Sequence, residues 1–330
     1  MFCVFDGHGG REVATFASQV LPGLLLDGEP EGHHEGEAST GGSNRGVGAL
    51  RLMAEGAPAD AVEAAVASAF HHVHEMGRGE RLRGGATACV LLCTEEVAEE
   101  VAEDMTEEEK DDNGKGDDDG TDDDGTDGAD ESDAVRGRKR QRRGRRRRVV
   151  CANAGDSRCV AGLLGSGGAV RLSVDHTPSD PSEECRIQTA GGSVEFGRLD
   201  GSLAVSRSLG DYSFERDGLI PTPYCIECAD ALPVATAHSS LSSLSSRSSS
   251  PPPPVPLTPL PSSPLPVEFV VIASDGLWDV VTDQEGIDIA RKAMDTDGGT
   301  TAHAAAVLAE LAVSRECRDD TSVVVVSFKE

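Results

Sequence analysis

The sequence lacks any apolar run that approaches the roughly 18 consecutive residues of a membrane-spanning helix. It has no secretory signal pattern at its start, and its nine cysteines are scattered among strand-like runs. These absences predict a protein of the cytoplasm, the nucleus or both, without membrane contact. In that reducing setting the cysteines are expected to act as small buried apolar residues.

Zinc-type and calcium-type ligand patterns are also missing. Cys225 and Cys228 have the spacing of half a zinc site, but no second pair of cysteines or histidines follows at a useful distance. His71 and His74 share a face of one predicted helix, yet no carboxylate or cysteine is placed with them in the sequence. The acidic repeats match no EF-hand frame. We therefore expect any metal to bind elsewhere.

Charge is concentrated in two adjoining tracts. The formal net charge is -28, and residues 95–133 carry most of the acidic excess, while residues 136–148 are almost purely basic. Together they predict a disordered insertion at about 95–148. The arginine run fits a nuclear import signal, a nucleic-acid contact or a counter-charge to the acidic tract. No aromatic residue interleaves the arginines, which argues against a nucleic-acid partner.

The rest of the chain alternates strand and helix patterns. Apolar runs at 2–5, 88–93, 149–154, 159–164, 267–273 and 321–328 predict strands, with a turn at 155–158, and a helix over 11–21 is expected to end at Pro22 and Gly23. A Ser- and Pro-rich tract at 231–266 predicts a second insertion. The pattern indicates a single α+β domain over residues 1–330 with stacked sheets, interrupted twice.

Three aspartates stand at the ends of predicted strands. Asp6 ends the first strand, Asp275 follows the strand 267–273, and Asp319 comes just before the last strand. An isolated Asp-Gly pair is usually a turn, but the repetition of the pattern predicts one shared site. Carboxylates without a cysteine or histidine ligand set favour Mg²⁺ or Mn²⁺ over zinc.

Taken together, these motifs resemble those of the metal-dependent protein phosphatases of type 2C, which remove phosphate from serine and threonine. The resemblance rests on eight motifs in order along the chain, at residues 5–10, 84–88, 153–158, 175–176, 184–194, 203–211, 273–279 and 318–322. It implies a β-sandwich of two antiparallel sheets flanked by helices on both outer faces, in four αββα layers. It also implies phosphoprotein substrates, and we expect a monomer.

The resemblance carries roles for particular residues. Asp6 would bridge two Mg²⁺ or Mn²⁺ ions, the Gly7 carbonyl would complete one, and Asp275 with Asp319 would hold the other. His8 is the candidate to protonate the departing serine or threonine oxygen, because imidazole titrates near neutral pH.

A third and weaker metal site is implied at Asp156 and Asp279. Arg207 and Asp211, four residues apart in a stretch of small residues, are candidates to pair with each other.

One departure from the family pattern concerns the start of the chain. Members carry upstream strands with an arginine for the substrate phosphate and an acidic pair near the metals, whereas this sequence begins five residues before Asp6. The expectation is a truncated phosphatase. The alternative is a catalytically impaired regulatory or scaffold protein with the same fold.

Overall fold

The computed structural model describes residues 1–28, 47–97, 145–165, 167–229, 231–232 and 265–328. The strands are β1 Phe2–His8, β2 Gly85–Val97, β3 Arg145–Ala154, β4 Arg158–Leu163, β5 Ala169–Arg171, β6 Val194–Glu195, β7 Arg198–Leu199, β8 Leu209–Gly210, β9 Tyr224–Ala229, β10 Ala231–Leu232, β11 Leu265–Ala273 and β12 Val323–Ser327. The helices are α1 Glu12–Asp27, α2 Ala49–Ala54, α3 Ala59–Gly79, α4 Pro181–Ala190, α5 Asp275–Trp278, α6 Asp283–Met294 and α7 Thr301–Ser314, with a 3₁₀ helix at Tyr212–Asp217.

Ten of these strands form two sheets. The first has the order β1-β2-β3-β9, with β8 paired to β2, and the second has the order β10-β11-β4-β5, with β12 paired to β11. Every pair with a defined register in the two sheets is antiparallel. β6 and β7 form a separate hairpin.

Side chains that alternate along the central strands build three apolar layers. Val90 of β2 packs with α1, α2 and α3, whereas its neighbour Leu91 faces the second sheet. Likewise Ile272 of β11 faces the first sheet, and Val271 packs with α6 and α7. Successive side chains of a strand point to opposite faces, so both sheets bury both faces. The predicted four-layer αββα sandwich is confirmed.

The helix α1 is longer than the sequence predicts. It continues through Pro22 to Asp27, because Leu21, Leu24 and Leu25 are buried against the first sheet. Burial of those leucines outweighs the backbone hydrogen bond that proline removes, which the local signal does not show.

The boundaries of both predicted insertions also differ. β2 continues to Val97 and β3 already begins at Arg145, where Arg148 pairs with Glu227 and also donates to the Met53 carbonyl. At the second insertion, Ala231–Leu232 pairs with the start of β11. Residues at both ends of each predicted insertion therefore belong to paired strands.

The described elements belong almost entirely to one unit, residues 1–96 and 146–330, and residues 97–145 group separately. The predictions for the acidic tract, for the arginines at 136–144 and for most of the Ser- and Pro-rich tract lie outside the described residues. Within the described part, no helix is both long and apolar enough to cross a bilayer.

Candidate active site

A group of acidic side chains lies near the contact of β1 with the second sheet. β1 lies against β11 and β12, and Val4 of β1 packs between the sheets. Side chains two residues apart share a face of a strand, so Asp6 and His8 lie on the same side of β1 as Val4. Asp275 opens α5 directly after β11.

The loop that carries Asp319 is tied to the loop that carries Asp275. Ser274 Oγ donates to the Asp320 carbonyl at 3.1 Å and accepts from the Ser322 N–H at 3.1 Å. A Cβ at Gly276 would lie only 2.6 Å from the Asp320 carbonyl oxygen. Glycine is therefore needed for this close approach, which brings Asp319 beside Asp275.

The two central carboxylates interact directly. Asp275 lies close enough to Asp6 for its charge to act on the ionisation of Asp6. Burial, followed by the charges of Asp275 and Asp319, raises the pKa of Asp6 to about 7. Burial and the charges of Asp319 and Asp279 raise the pKa of Asp275. Negative charges held this close need either a proton or a cation.

Asp156 and Asp279 join the same electrostatic group. Burial, and then the charge of Asp275, raises the pKa of Asp156 to about 7. Burial also raises the pKa of Asp279, where the charge of Asp319 adds to the effect and the nearby Arg158 opposes it. The structure thus brings together all five aspartates that the sequence selects.

The donor set fits a hard divalent cation. Asp275 Oδ1 is buried and has no hydrogen-bond partner among the described residues. An unpaired buried carboxylate oxygen costs free energy unless a cation or proton satisfies it. Oxygen donors suit Mg²⁺ or Mn²⁺, and the identity of the ion stays a prediction.

The loop before Asp156 is fixed by backbone and side-chain bonds. The Gly155 N–H donates to His176 Nδ1 at 3.3 Å, and the His176 N–H donates to the Gly155 carbonyl at 3.0 Å. Asn153 Nδ2 also donates to that carbonyl, at 3.2 Å. Burial lowers the pKa of His176 to about 4, so it remains a neutral acceptor. These bonds fix the backbone beside Asp156.

His8 is bonded to a residue that the sequence does not assign to it. His8 Nε2 lies 2.5 Å from Asp211 Oδ2, and the two residues are 203 positions apart. Burial alone would lower the pKa of His8, but the hydrogen bond and charge of Asp211 outweigh it and raise that pKa. The suggested pair of Arg207 with Asp211 is wrong, because Arg207 binds Glu183 instead.

A second cluster contains residue types that can bind a metal, but it has a different role. Ligand atoms of His74, Glu75 and Glu215 lie within 4.8 Å of one another. However, His74 Nδ1 accepts the Gly210 N–H at 3.2 Å, so Nε2 carries the proton and donates to Glu215 at 2.5 Å. Arg78 also donates to Glu215. The one available lone pair of the His74 ring already accepts a hydrogen bond, and the Arg78 cation pairs with Glu215. This cluster is therefore a hydrogen-bond network and not a metal site.

Arg158 lies near Asp279 and makes several ion pairs. It makes a bidentate pair with Asp175, at 3.2 and 2.5 Å, and a bond to Asp283 at 2.7 Å. Arg171 bonds to the same two aspartates. A cavity of about 490 Å³ lies beside this network and is lined in part by Asp279.

Solved structures show the same fold. One is described as a crystal structure of a phosphatase from a pathogenic strain of Toxoplasma gondii, with a TM-score of 0.56 and 21% identity, covering 99% of this chain and 83% of that one. Another is described as a Caenorhabditis elegans sex-determining protein, with a TM-score of 0.56 and 18% identity, covering 99% and 56%. At these identities the likeness concerns the fold.

Residues 91–321 match the family model described as Protein phosphatase 2C. The match extends over more than half of the sequence, so the chain belongs to the protein phosphatase 2C family. Asp6, Gly7 and His8 precede the matched range.

Curated relatives include "Protein phosphatase 2C homolog 3" of Schizosaccharomyces pombe, 38% identical over 44% of this chain and 28% of that protein. "Probable protein phosphatase 2C 8" of Oryza sativa subsp. japonica is 38% identical over 56% of this chain and 40% of its own length. The chain therefore matches less than half the length of these relatives. "Probable protein phosphatase 2C 11" of the same plant is 27% identical over 100% of this chain and 77% of its own length.

Proposed function

We propose that the chain is a metal-dependent phosphatase that hydrolyses phosphoserine and phosphothreonine in proteins. Membership of the protein phosphatase 2C family supports the reaction class. The observation that carries the metal dependence is the buried Asp275 Oδ1, which lacks a hydrogen-bond partner among the described residues and lies in a group of five aspartates.

Four residues would hold the two principal ions. Asp6, on which the charges of Asp275 and Asp319 both act, would contact both ions, and the Gly7 carbonyl would complete the shell of one. Asp275 and Asp319, held together by the Ser274 bonds, would bind the other. Asp156 and Asp279 stand at the edge of the group and would hold a third, weaker ion, since each is linked by charge to the central carboxylates.

Each protein group then has a defined task. Divalent ions bound here would supply an activated water and offset the charge of the phosphoryl oxygens. The five carboxylates alone would repel a phosphate dianion, so their arrangement favours substrate only with cations present. His8, on the same face of β1 as Asp6, would donate a proton to the departing serine or threonine oxygen.

The test is hydrolysis of a phosphothreonine peptide with Mn²⁺ and with a chelator. Turnover should require the metal, and Asp6→Asn and Asp275→Asn should each lower it by about 100-fold or more, the size typical of lost electrostatic stabilisation. Asp288→Asn is a matched control, because Asp288 is exposed on α6 and should leave turnover unchanged.

Turnover that persists in chelator, or in both site variants, would contradict the metal mechanism. Binding of Mn²⁺ by calorimetry without any turnover would instead favour the regulatory or scaffold alternative.

A further inference from the structure

The bond between His8 and Asp211 joins two strands that are not neighbours. In the first sheet, Gly85 of β2 pairs with His8 of β1 on one side and with Gly210 of β8 on the other. Adjacent strands lie about 4.8 Å apart, so His8 and Gly210 are separated by two strand spacings. The Asp211 side chain crosses over Gly85 to reach the imidazole, and a Cβ at Gly85 would lie 2.0 Å from Asp211 Oδ2.

Asp211 is itself held in place from several sides. Its backbone has a positive φ of 51°, and its N–H donates to the Gly84 carbonyl at 2.9 Å. Ser208 Oγ donates to the same Oδ2 at 2.6 Å. The preceding Gly210 N–H is bonded to His74. Aspartate adopts this left-handed conformation more readily than most non-glycine residues, and the bonds described here hold it there.

The exposure of the pair shows which edge of the imidazole is accessible. The side chain of Asp211 is 7% exposed and that of His8 is 33% exposed. The Nε2 atom is bonded to the buried carboxylate, which leaves Nδ1 as the ring nitrogen that can bind another group. Among the described residues, Nδ1 has no hydrogen-bond partner.

We propose that Asp211 is a positioning residue for His8. By accepting the Nε2–H, it fixes the ring so that Nδ1 is the atom that faces the substrate. This inference rests on the proposed phosphatase function. As a water oxygen bonds to phosphorus and the bond from phosphorus to the serine or threonine oxygen breaks, the Nδ1 proton of the imidazolium passes to that departing oxygen. Alcohol and phosphate are the products, and His8 is left neutral with Nε2–H still bonded to Asp211.

The decisive measurement compares two leaving groups in the Asp211→Asn variant loaded with Mn²⁺. An alkoxide needs protonation as it departs, whereas p-nitrophenolate needs much less. We expect kcat for a phosphothreonine peptide to fall by about 10- to 100-fold with KM within about threefold. For p-nitrophenyl phosphate, kcat should fall several-fold less. An equal loss on both substrates would overturn the proposal.

The variants are chosen so that folding does not confuse the result. Asparagine tolerates a positive φ, and glycine adopts it without strain, so Asp211→Gly is a second variant that removes the carboxylate. Asp200→Asn is the matched control, since Asp200 is an exposed aspartate with a positive φ of 47°. The control should keep the wild-type ratio of the two activities.

A double-mutant cycle tests whether Asp211 acts through His8. In a His8→Gln background, Asp211→Asn should lower peptide hydrolysis by less than about twofold, because the interaction is already lost. A loss equal to that of the single variant would overturn the proposal.

A spectroscopic readout separates this inference from the phosphatase proposal. At a pH where His8 is neutral, ¹⁵N NMR of the ring should show the Nε2–H tautomer in the wild-type protein and a weaker preference in Asp211→Gly. An unchanged tautomer would overturn the positioning role even if turnover is present. If the wild-type protein binds metal but hydrolyses neither substrate, the proposed function fails. The tautomer measured by NMR then still shows whether the hydrogen bond from His8 Nε2 to Asp211 forms.

Discussion

Asp156 shows what it costs to place a carboxylate where a cation is needed. Burial and the charge of Asp275 raise its pKa to about 7, against about 3.9 for an aspartate in an unfolded chain. The folded protein therefore gains stability from protonation of Asp156 as the pH falls from 7 towards 4, and loses it as the pH rises through 7.

This sign gives a prediction for the metal-free protein. Asp156→Asn should raise the free energy of unfolding by about 1–3 kcal/mol at pH 8, and the gain should vanish near pH 4. Urea denaturation with a chelator at both pH values would measure it, and added Mn²⁺ should reduce the gain. A variant less stable than the wild type at pH 8 without metal would contradict the prediction.

Gly85 gives a second prediction at the scale of one residue. Its Cβ would meet the Asp211 carboxylate, so Gly85→Ala should displace Asp211 from His8. We expect a loss of about 1–3 kcal/mol in stability from overpacking, together with weaker hydrolysis of phosphothreonine peptides. Thermal denaturation and peptide turnover would measure the two effects.

Gly23 is the matched control for Gly85. It lies inside α1 with no atom within 4 Å of a built Cβ, so Gly23→Ala should stabilise the protein by about 0.5–1 kcal/mol. If both substitutions had the same effect, steric contact at Gly85 would not be the cause.

The sequence predicts which residues belong to the site better than it predicts their hydrogen-bond partners. Asp6, Asp275 and Asp319 each follow or precede an apolar run, and this local signal identifies them. The bond from Asp211 to His8 depends on two strands that flank Gly85, and the pairing of distant strands leaves no local pattern. For the same reason the sequence suggests the wrong partner for Arg207.

At the scale of elements, β3 shows that strand pairing can give a residue of a basic run a structural role that composition does not indicate. Arg148 makes two bonds to Glu227, at 2.7 and 3.0 Å, and one to the Met53 carbonyl at 3.1 Å, and its side chain is only 13% exposed. Composition places it in an insertion, but its interactions connect the first sheet with α2.

Arg148→Ala should therefore lower stability by about 1–3 kcal/mol, because Glu227 and the carbonyl lose a partly buried charged donor. Arg51→Ala is the control, since Arg51 and Glu55 form an exposed pair one helical turn apart and such pairs contribute little. Urea denaturation compares the two. Equal losses would mean that the bonds of Arg148 contribute no more than a surface pair.

The end of α1 illustrates why element boundaries are harder to predict than element types. Pro22 and Gly23 are valid local signals for a helix end. Burial of Leu24 and Leu25 continues the helix nevertheless, and that burial depends on a sheet whose strands come from distant parts of the sequence.

At the scale of the whole molecule, the layer order follows from patterns that the sequence does contain. Runs of apolar residues that are buried on both faces, such as β2 and β11, require a cover on each side, and the helices supply the outer covers. Which strand pairs with which is not encoded in these runs, so the sandwich is predictable but its strand order is not.

The arginine run leads to a prediction about the location of the protein in the cell. Because Arg147 and Arg148 bond to the folded part of the chain, a test of nuclear import should delete only residues 136–144. If the run is an import signal, the deletion should move a fluorescently tagged protein from the nucleus to the cytoplasm. An unchanged distribution would contradict that role, and urea denaturation would check that the fold is retained.

The spacing of the acidic residues along the chain also has a consequence for synthesis on the ribosome. Asp6 is translated more than 260 residues before Asp275 and Asp319. A nascent chain that still lacks Asp275 and Asp319 cannot assemble the acidic group, so the proposed cation site can form only after both residues have left the exit tunnel.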